Sequence, residues 1–439
     1  MNAERVGPVV RVARPADVRD AGELTAAAFG ADGWAPDEAY AAELRDAGRR
    51  AREAVLLVAA VPTGDGREAV VGTLTIAPYG SSYAEVAEPD EVELRMLAVA
   101  PEARRRGVAA ALLHAALREA VAGGARRVVL STTDALVMAQ RLYRRLGFVP
   151  APERDWSHEG VHLGVHVWTA PAPPGELIET ATWPPVRVID VDGWRLGLSG
   201  GVTRRANSVL PLVAPTDVEA ALDEVEARYA AEGLPAVIRV GLAARPADLD
   251  RRLDARGYAR GGVTDVLVRP LDEGAARSGG MDDAPGAASW PSGVWSSGRE
   301  REPRPLVHLV VSDAPDEQWV RAWLTGKATS AAEATGAAVL TGCPARYLTA
   351  ASGDRLTGIV RVAFAGDWAA LSCLAVAPAA RGQGLGRALT LAALELARRQ
   401  GARRAFLQVE ADNAVAARLY AGLGFTPAQR YAYRQLPPR

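Results

Sequence analysis

Residues 97–113 read LAVAPEARRRGVAAALL, and residues 374–390 read LAVAPAARGQGLGRALT. The second stretch begins 277 positions after the first (374 against 97), and the same spacing carries RLYRRLGF, residues 141–148, onto RLYAGLGF, residues 418–425. A repeat of this length is two copies of a domain, not a solenoid unit. Each copy runs from an apolar strand through a proline and an Arg/Gly-rich turn into a helix. In the later copy the strand is 369–376, the turn is Arg381-Gly382-Gln383-Gly384-Leu385-Gly386, and Leu385, Leu389, Ala392, Ala393 and Leu396 recur at helical spacing up to Gly401. In the earlier copy the turn is Arg104-Arg105-Arg106-Gly107-Val108-Ala109, and the helix face is Val108, Leu112, Leu113, Ala116 and Leu117. Glycine lets backbone N–H groups approach a ligand with no Cβ in the way. Free N–H groups at a helix start, aided by the helix dipole, suit a pyrophosphate. The two turns point to a nucleotide-like cofactor.

Two common phosphate loops are excluded. No GxxxxGK[ST] occurs, Lys327 being the only lysine, and no GxGxxG fingerprint follows a strand. The pattern [Q/R]xxGx[G/A] after a strand ending LAVxP resembles the acetyl-CoA loop of the GNAT superfamily of N-acetyltransferases. A single such turn also reads as a plain glycine-rich helix entry. Here it occurs twice, each time followed by a strand and an LYxxLGF segment at the family's distance. The resemblance implies a mixed α/β fold, acetyl-CoA as co-substrate and acetyl transfer to an amine.

The 439 residues leave room for two to four domains. A net charge of −1 argues against nucleic acid or an anionic membrane surface as main partner. Cys343 and Cys373 are the only cysteines; they make neither a disulfide framework nor a zinc site and fit a reducing cytoplasm. No signal-peptide pattern and no membrane-spanning apolar run is present, so a cytoplasmic location is expected. Residues 1–170 read as one GNAT domain and 305–439 as another. Between them, 186–271 carry strands around a helix at 217–233 and end in LDARGYA, which mimics LYAGLGF but places Leu253 where Tyr420 stands. With no glycine turn before its helix, this middle unit reads as degenerate GNAT-like. Residues 170–185 (APAPPGELIETATWPP) read as a linker, and 272–304, rich in Gly, Ser, Pro and charge, as a flexible one containing Trp290 and Trp295.

Two further stretches, WRLGLSGGVTRRANSVLPL at 194–212 and LQVEADNAVAARLYAGLGF at 407–425, resemble actinobacterial-type acetyltransferases of the same superfamily. The VEADN segment is also similar to that of mycothiol synthase, another tandem GNAT.

Acetyl transfer from a thioester needs a deprotonated amine, a polarised carbonyl and a protonated leaving thiolate. No enzyme nucleophile is required. The resemblance implies that Tyr143 and Tyr420 protonate the coenzyme A thiolate, a role suited to a phenol with an ordinary pKa of about 10; the plainer reading is a packed aromatic at a helix end. It implies that Asn413 bonds the pantetheine arm, although an asparagine there also suits a helix N-cap; Leu136 holds the matching place in the earlier copy. It implies a catalytic carboxylate at Glu93, matched by Ala370 in the later copy. The plainer reading of Glu93 is a charge on the strand's solvent face. Asp367 and Glu410 are weak candidates for the base the later copy would need. The main-chain amides of Leu97, Ala98 and Val99, and of Leu374, Ala375 and Val376, would hold the acetyl carbonyl and pantetheine.

His158, His162 and His166 recur every four residues, but GVHLGVHVW reads as a strand, so no metal site is expected. His114 and Met138 read as packing residues. Arg204, Arg205 and Asn207 either face a substrate or form a hydrogen-bonded turn. The acceptor is a small-molecule or peptide amine, and the rival to an enzyme is an acyl-CoA-binding sensor or scaffold without turnover. The oligomeric state is not legible in the sequence.

Overall fold

The computed structural model describes residues 8–31, 37–158, 160–271, 307–325 and 333–437. The segment expected as a flexible linker, 272–304, falls outside them with Trp290 and Trp295. The chain forms two compact units, one up to Ala172 (with Thr426–Gln429) and one from Pro173 onward.

The first unit runs β1 (Val9–Val12), α1 (Val18–Ala31), α2 (Glu38–Arg45), α3 (Ala47–Glu53), β2 (Val55–Pro62), β3 (Glu68–Pro78), β4 (Glu91–Val99), α4 (Val108–Ala122), β5 (Arg127–Thr132), α5 (Val137–Arg145), β6 (Val149–Pro150), β7 (Trp156–His158) and β8 (Val161–Thr169). The sheet order is β1-β2-β3-β4-β5-β8-β6, with β7 on β8. All pairings are antiparallel except β4 with β5, the pair joined through α4; a parallel step needs such a crossover. The expected face of α4 (Val108, Leu112, Leu113, Ala116 and Leu117) is buried against Leu57, Leu74, Leu94, Val128 and Leu130. Leu56 and Val58 alternate to the other face and pack against Ala21 and Ala47. An apolar run such as AVLLVAAV is what a strand covered on both faces requires. The histidine segment is a strand, as expected, and no cluster of metal-binding side chains occurs among the described residues.

The second unit opens with α6 (Glu176–Thr182), inside the segment expected to be a linker. The prolines on either side of ELIETAT suggest a loop, yet they bracket two helical turns whose Glu179 and Thr182 are buried. There follow β9 (Arg187–Val191), β10 (Trp194–Leu198), β11 (Val209–Pro211), α7 (Val218–Ala231), β12 (Val237–Gly241), α8 (Leu249–Ala255), β13 (Ala259–Pro270), β14 (His308–Ser312), α9 (Glu317–Leu324), α10 (Glu333–Thr341), β15 (Ala345–Ser352), β16 (Arg355–Ala365), β17 (Trp368–Val376), α11 (Leu385–Arg399), β18 (Arg404–Glu410), α12 (Ala414–Ala421) and β19 (Thr426–Gln435).

They make one eleven-stranded sheet, β14-β15-β16-β17-β18-β13-β19-β12-β11-β10-β9. Its β14–β18 part repeats the first unit's plan, with β17 and β18 parallel around α11. The β9–β12 part is a shorter version, with β11 parallel to β12 around α7 and its own core of Leu196, Val209, Leu222, Tyr229, Ile238 and Leu253. The fold is mixed α/β, and in chain order two full copies of one plan stand before and after a reduced one.

The neighbour of the crossover strand differs between the copies. In the first unit β5 is followed by β8, from the same copy. In the second unit β18 is followed by β13, which belongs in sequence to the middle stretch and pairs from Thr264↔Glu410 to Pro270↔Arg404. In return β19, the last strand of the chain, pairs with β12 from Val237↔Gln435 to Gly241↔Tyr431. The boundary drawn between 271 and 305 from sequence therefore runs through a shared sheet.

Candidate functional site

In both full copies the site begins as a gap between two parallel strands. β4 pairs with β5 only over Glu91–Glu93, and β17 with β18 only over Trp368–Leu371. Beyond those points the strands part. On its other side each strand carries a bulge, between Thr73 and Thr75 opposite β4 and between Ile359 and Arg361 opposite β17. The extra residue at each bulge takes a left-handed backbone: Met96 at φ 53° and Cys373 at φ 59°, 277 positions apart. Non-glycine residues there cost of order 1–2 kcal/mol, and bulges recur where a strand is re-aimed beside a site. The parted strand ends, Leu97–Val99 and Leu374–Val376, are the expected holders of the acyl group.

The turn that follows is the same backbone twice. Gly107 (φ 80°, ψ 7°) and Gly384 (φ 83°, ψ 2°) are the N-caps of α4 and α11, and neither helix start is capped by a side chain. Two positions earlier, Arg105 (φ 60°) and Gly382 (φ 69°) also turn left-handed. A Cβ built on Gly107 or Gly382 would meet nothing within 4 Å. Packing does not demand glycine at these points. Left-handed backbone does, and a helix start without a side-chain cap is an arrangement that suits an anion. Arg381 donates from Nε to the Val376 carbonyl at 3.2 Å, as Arg104 does to Val99 at 3.4 Å, so each arginine ties the strand end to the turn. Gln383 is exposed and donates to the Ala379 carbonyl. At Gly386 a Cβ would find ordinary contacts with Leu419 and Val376, which is why Ala109 is tolerated at the matching place.

The middle helix lacks this site for a local reason. The Asp217 carboxylate caps α7, taking the amides of Glu219 and Ala220. The orphan donors are satisfied, and a negative charge stands where a phosphate would have to come.

A second pair of glycines carries weight that the repeat pattern did not reveal. A Cβ on Gly72 would lie 2.8 Å from Val108 and 3.0 Å from Leu112; on Gly358 it would lie 2.7 Å from Leu389 and 3.4 Å from Leu385. Both glycines let the first turn of the cofactor helix press onto the sheet beside the parted strands. Their partners are 36 and 27 or more residues away in the chain, so only the fold exposes the role.

Tyr143 in α5 is buried beside Phe148 and His166, with ring centroids at 5.9 and 6.3 Å. Tyr420 in α12 is half-buried against Phe425 at 5.7 Å. Burial pushes both phenols up to about 12. Asn413 is the N-cap of α12: its Oδ1 accepts from the Ala416 amide at 3.0 Å. The cap uses the carbonyl end and leaves the amide end exposed. Leu136 starts α5 with no side-chain cap.

Glu93 is fully buried, unlike the solvent-face alternative. Its Oε2 accepts from the Glu85 and Val86 amides at 2.7 and 2.8 Å, and Arg95 reaches its Oε1 at 3.3 Å. This carboxylate pins the loop 79–90. Glu91 beside it is held bidentately by Arg154, at 3.1 and 2.8 Å. Asp367 precedes β17 at the end away from the gap and is engaged by Arg404. Glu410 is exposed, 3.9 Å from Arg204. Burial lowers the His114 pKa to about 4, which keeps the half-buried imidazole neutral.

The segment TRRANSV forms the hydrogen-bonded turn that was one of its two alternatives. Asn207 is buried and ties the turn together, taking the Ser199 and Gly201 amides at 2.7 and 2.9 Å and donating to the Thr203 carbonyl. Arg205 stacks over Trp183 at 4.5 Å, and Arg205 and Ser208 line a cavity in the second unit.

Comparison with known proteins gives two family matches. Residues 176–434 match the family described as "Probable histone acetyltransferase Rv0428c C-terminal", and residues 23–148 match the acetyltransferase (GNAT) family. A Bacillus subtilis (strain 168) relative, the uncharacterized N-acetyltransferase YobR, is 26% identical over 270 residues, 59% of this chain and 96% of its own. The mycothiol acetyltransferase of Amycolatopsis mediterranei (strain U-32) is 57% identical over 51 residues, 12% of this chain and 17% of its own. That of Beutenbergia cavernae is 48% identical over 64 residues, 15% and 22%. The chain thus spans about a fifth of the length of these mycothiol enzymes. Among solved structures, a GCN5-related N-acetyltransferase from Kribbella flavida covers 61% of this chain and 97% of its own at 16% identity and a TM-score of 0.43. A tandem GNAT protein from the clavulanic acid biosynthesis pathway covers 98% and 99% at 16% identity and a TM-score of 0.30.

Proposed function

Since the chain belongs to the family described as "Probable histone acetyltransferase Rv0428c C-terminal", matched over 176–434, and carries an acetyltransferase (GNAT) domain match over 23–148, we propose that it transfers the acetyl group of acetyl-CoA to an amine by direct attack. The observation that carries this reading is the cradle built twice: parted parallel strands, a left-handed bulge residue and an uncapped glycine helix start, all at one spacing. Acetyl-CoA, when bound, supplies an activated acetyl thioester. The amides of the turn and of the first turn of α11 suit its pyrophosphate, and Arg381 adds charge. The strand end Leu374–Val376 offers main-chain groups to the pantetheine and the acyl oxygen. The exposed amide end of Asn413 is a further donor for the pantetheine arm.

Tyr420 holds a proton on its phenol oxygen for the sulfur that leaves. With the phenol near 12 and a free thiol near 8.5, full proton transfer in the resting site is uphill. The hydroxyl therefore acts first as a hydrogen-bond donor to the growing thiolate, and its proton passes to sulfur only as the proton shed by the attacking amine replaces it on the phenol oxygen. No hydrogen bond among the described residues engages this hydroxyl, so nothing has to be displaced for it to act.

The first unit is less well equipped. Glu93, which would serve there as the base, has its carboxylate committed to two backbone amides and Arg95. Leu136 replaces the pantetheine asparagine. These observations favour a first unit that binds acetyl-CoA with little or no turnover. We place the folding boundary of the second unit at about residue 173, so that 186–271 and 305–439 form one piece; the family match beginning at residue 176 supports this.

The test is thiol release from acetyl-CoA with a mixed amine panel. Turnover supports the transferase, and tight binding without turnover supports the sensor reading.

A further inference from the structure

The two full copies differ in the connection that leads into the parted strand. β16 turns into β17 through Gly366 and Asp367 alone, whereas β3 reaches β4 through the twelve residues 79–90. The longer connection folds back over the face of β4 away from α4. Leu94, with Val92 beside it, belongs to the core under α4, so Glu91, Glu93 and Arg95 point to the other face. There Glu93 takes the Glu85 and Val86 amides, and Arg95 pairs with Glu85 at 2.6 Å. Arg154 donates to the Val86 carbonyl at 2.6 Å while it holds Glu91. Earlier in the loop, Tyr83 is buried in one cluster with Leu44 of α2 and Met96, the left-handed bulge residue.

This placement closes the side from which an amine would come. α4 and α5 fill the cofactor face of the sheet, with Leu113 and Tyr143 in its core, so the acceptor is left the other face, and the loop stands there. Glu93 is the last β4 residue in register with β5, which puts its carboxylate at the root of the gap. It is 0% exposed, and no acceptor touches it while the loop is in place. The loop is not made for packing alone. The hydroxyls of Tyr83 and Ser81 are sealed from solvent and have no partner among the described residues. Drying a hydroxyl without a partner costs free energy that phenylalanine or alanine would avoid. Both hydroxyls regain water when the loop lifts. A segment that only packs has no use for them, and one that leaves and returns does.

We propose that residues 79–90 are a lid over the acceptor side of the first unit, closed in this structure, and that by holding Glu93 the lid keeps this unit from transferring acetyl. The inference rests on the transferase reading above. When the lid lifts, Glu93 loses two amide donors and faces the gap. Its carboxylate then takes one proton from the acceptor's ammonium, and the freed nitrogen attacks the thioester carbonyl. As the C–S bond breaks, Tyr143 gives its proton to the thiolate, and the second proton shed by the nitrogen replaces it. The first unit is a transferase held off by its own chain, not one whose base has decayed.

The test uses the full chain carrying Tyr420→Phe, to lower the second unit's turnover, with residues 79–90 replaced by Gly-Asp as between β16 and β17. Thiol release from acetyl-CoA with a mixed amine panel should rise at least about tenfold over Tyr420→Phe alone, the low end of what a general base supplies. Adding Glu93→Gln should abolish the gain. No gain in a shortened chain that circular dichroism shows to be folded, or a gain that survives Glu93→Gln, overturns the lid. Should the shortened chain not fold, hydrogen exchange on the unmodified chain decides. A lid opens without its sheet, so the Glu85 and Val86 amides should exchange at least about tenfold faster than those of Val128, Val129 and Leu130, although both sets are hydrogen-bonded. Equal protection overturns the lid. Thiol release by the unmodified chain separates this inference from the reading it rests on. Turnover there with no gain on shortening overturns the lid alone. A gain on shortening with an inert unmodified chain keeps the lid and overturns the second unit as the transferase, and no release from either chain overturns both.

Discussion

At the start of α5 the first unit carries an exposed Leu136, and 277 positions later α12 starts on Asn413, capped through its own side chain. In β4 the first unit buries Glu93, whereas β17 has Ala370, and the second unit brings a buried carboxylate from α6 instead. Yet the backbone at Met96 and Cys373, at Arg105 and Gly382, and at Gly107 and Gly384 is the same to within about ten degrees in φ. The cradle for the cofactor is main chain and keeps its shape while the side chains around it drift. In the middle stretch even the cradle is gone, because Asp217 supplies its own anion.

The largest effect expected from this comparison is all or none. A 305–439 fragment lacks β13 and should be unfolded by circular dichroism, while 1–172 and 173–439 fold; adding 173–271 in trans should rescue it. A folded 305–439 fragment would make the shared sheet incidental.

Next comes Tyr420→Phe, which keeps the ring and loses the proton donor. Turnover should fall of order 10²-fold with little change in acetyl-CoA affinity. Tyr143→Phe should leave total turnover nearly unchanged, and an equal loss from both variants would show two working sites. Because burial holds Tyr420 near 12, its proton is retained well above the ordinary phenol range. The pH–rate profile should show no decline from this group up to about pH 10, and a fall centred near 10 would mean a solvent-like phenol.

Smaller still is Gly384→Asp. It puts a negative charge at the left-handed, uncapped helix start and should weaken acetyl-CoA binding at the tighter site by at least about tenfold, about 1.4 kcal/mol, in calorimetric titration. Gly107→Asp should act only on the weaker site. The mildest change is Asn413→Leu, which copies the first unit. Losing one neutral hydrogen bond costs about 0.5–1.5 kcal/mol, so affinity should drop about two- to tenfold and the two sites should become harder to resolve.

The repeated turn, the two tyrosines and the mixed α/β plan were legible because each is written within a few consecutive residues. Glu179 was not. It sits in a stretch that flanking prolines mark as a linker, and its partner Gln408 is 229 positions away. Gly72 and Gly358 escaped for the same reason: what each glycine spares is a clash with a helix later in the chain. The fate of Glu93 was hidden too, since the amides that claim it come from the loop ahead of its strand, and nothing in ELRMLAV tells a sealed carboxylate from an exposed one. The β13 exchange was also out of reach, because TDVLVRPL pairs equally well in pattern with either half.

That exchange bears on how the chain is made. Pro270, which ends β13, is 134 positions ahead of its partner Arg404. At a synthesis rate of about 5–20 residues per second, β13 waits roughly 7–27 s for the strand it pairs with, and β12 waits longer for β19. During that time the nascent middle stretch offers two unpaired strand edges to whatever is nearby. The second unit closes only after its last strand leaves the ribosome, so its yield in a cell should depend on translation speed and on chaperones that shield edges, whereas the eight-stranded sheet of the first unit, complete by residue 169, can form while the rest is still being made.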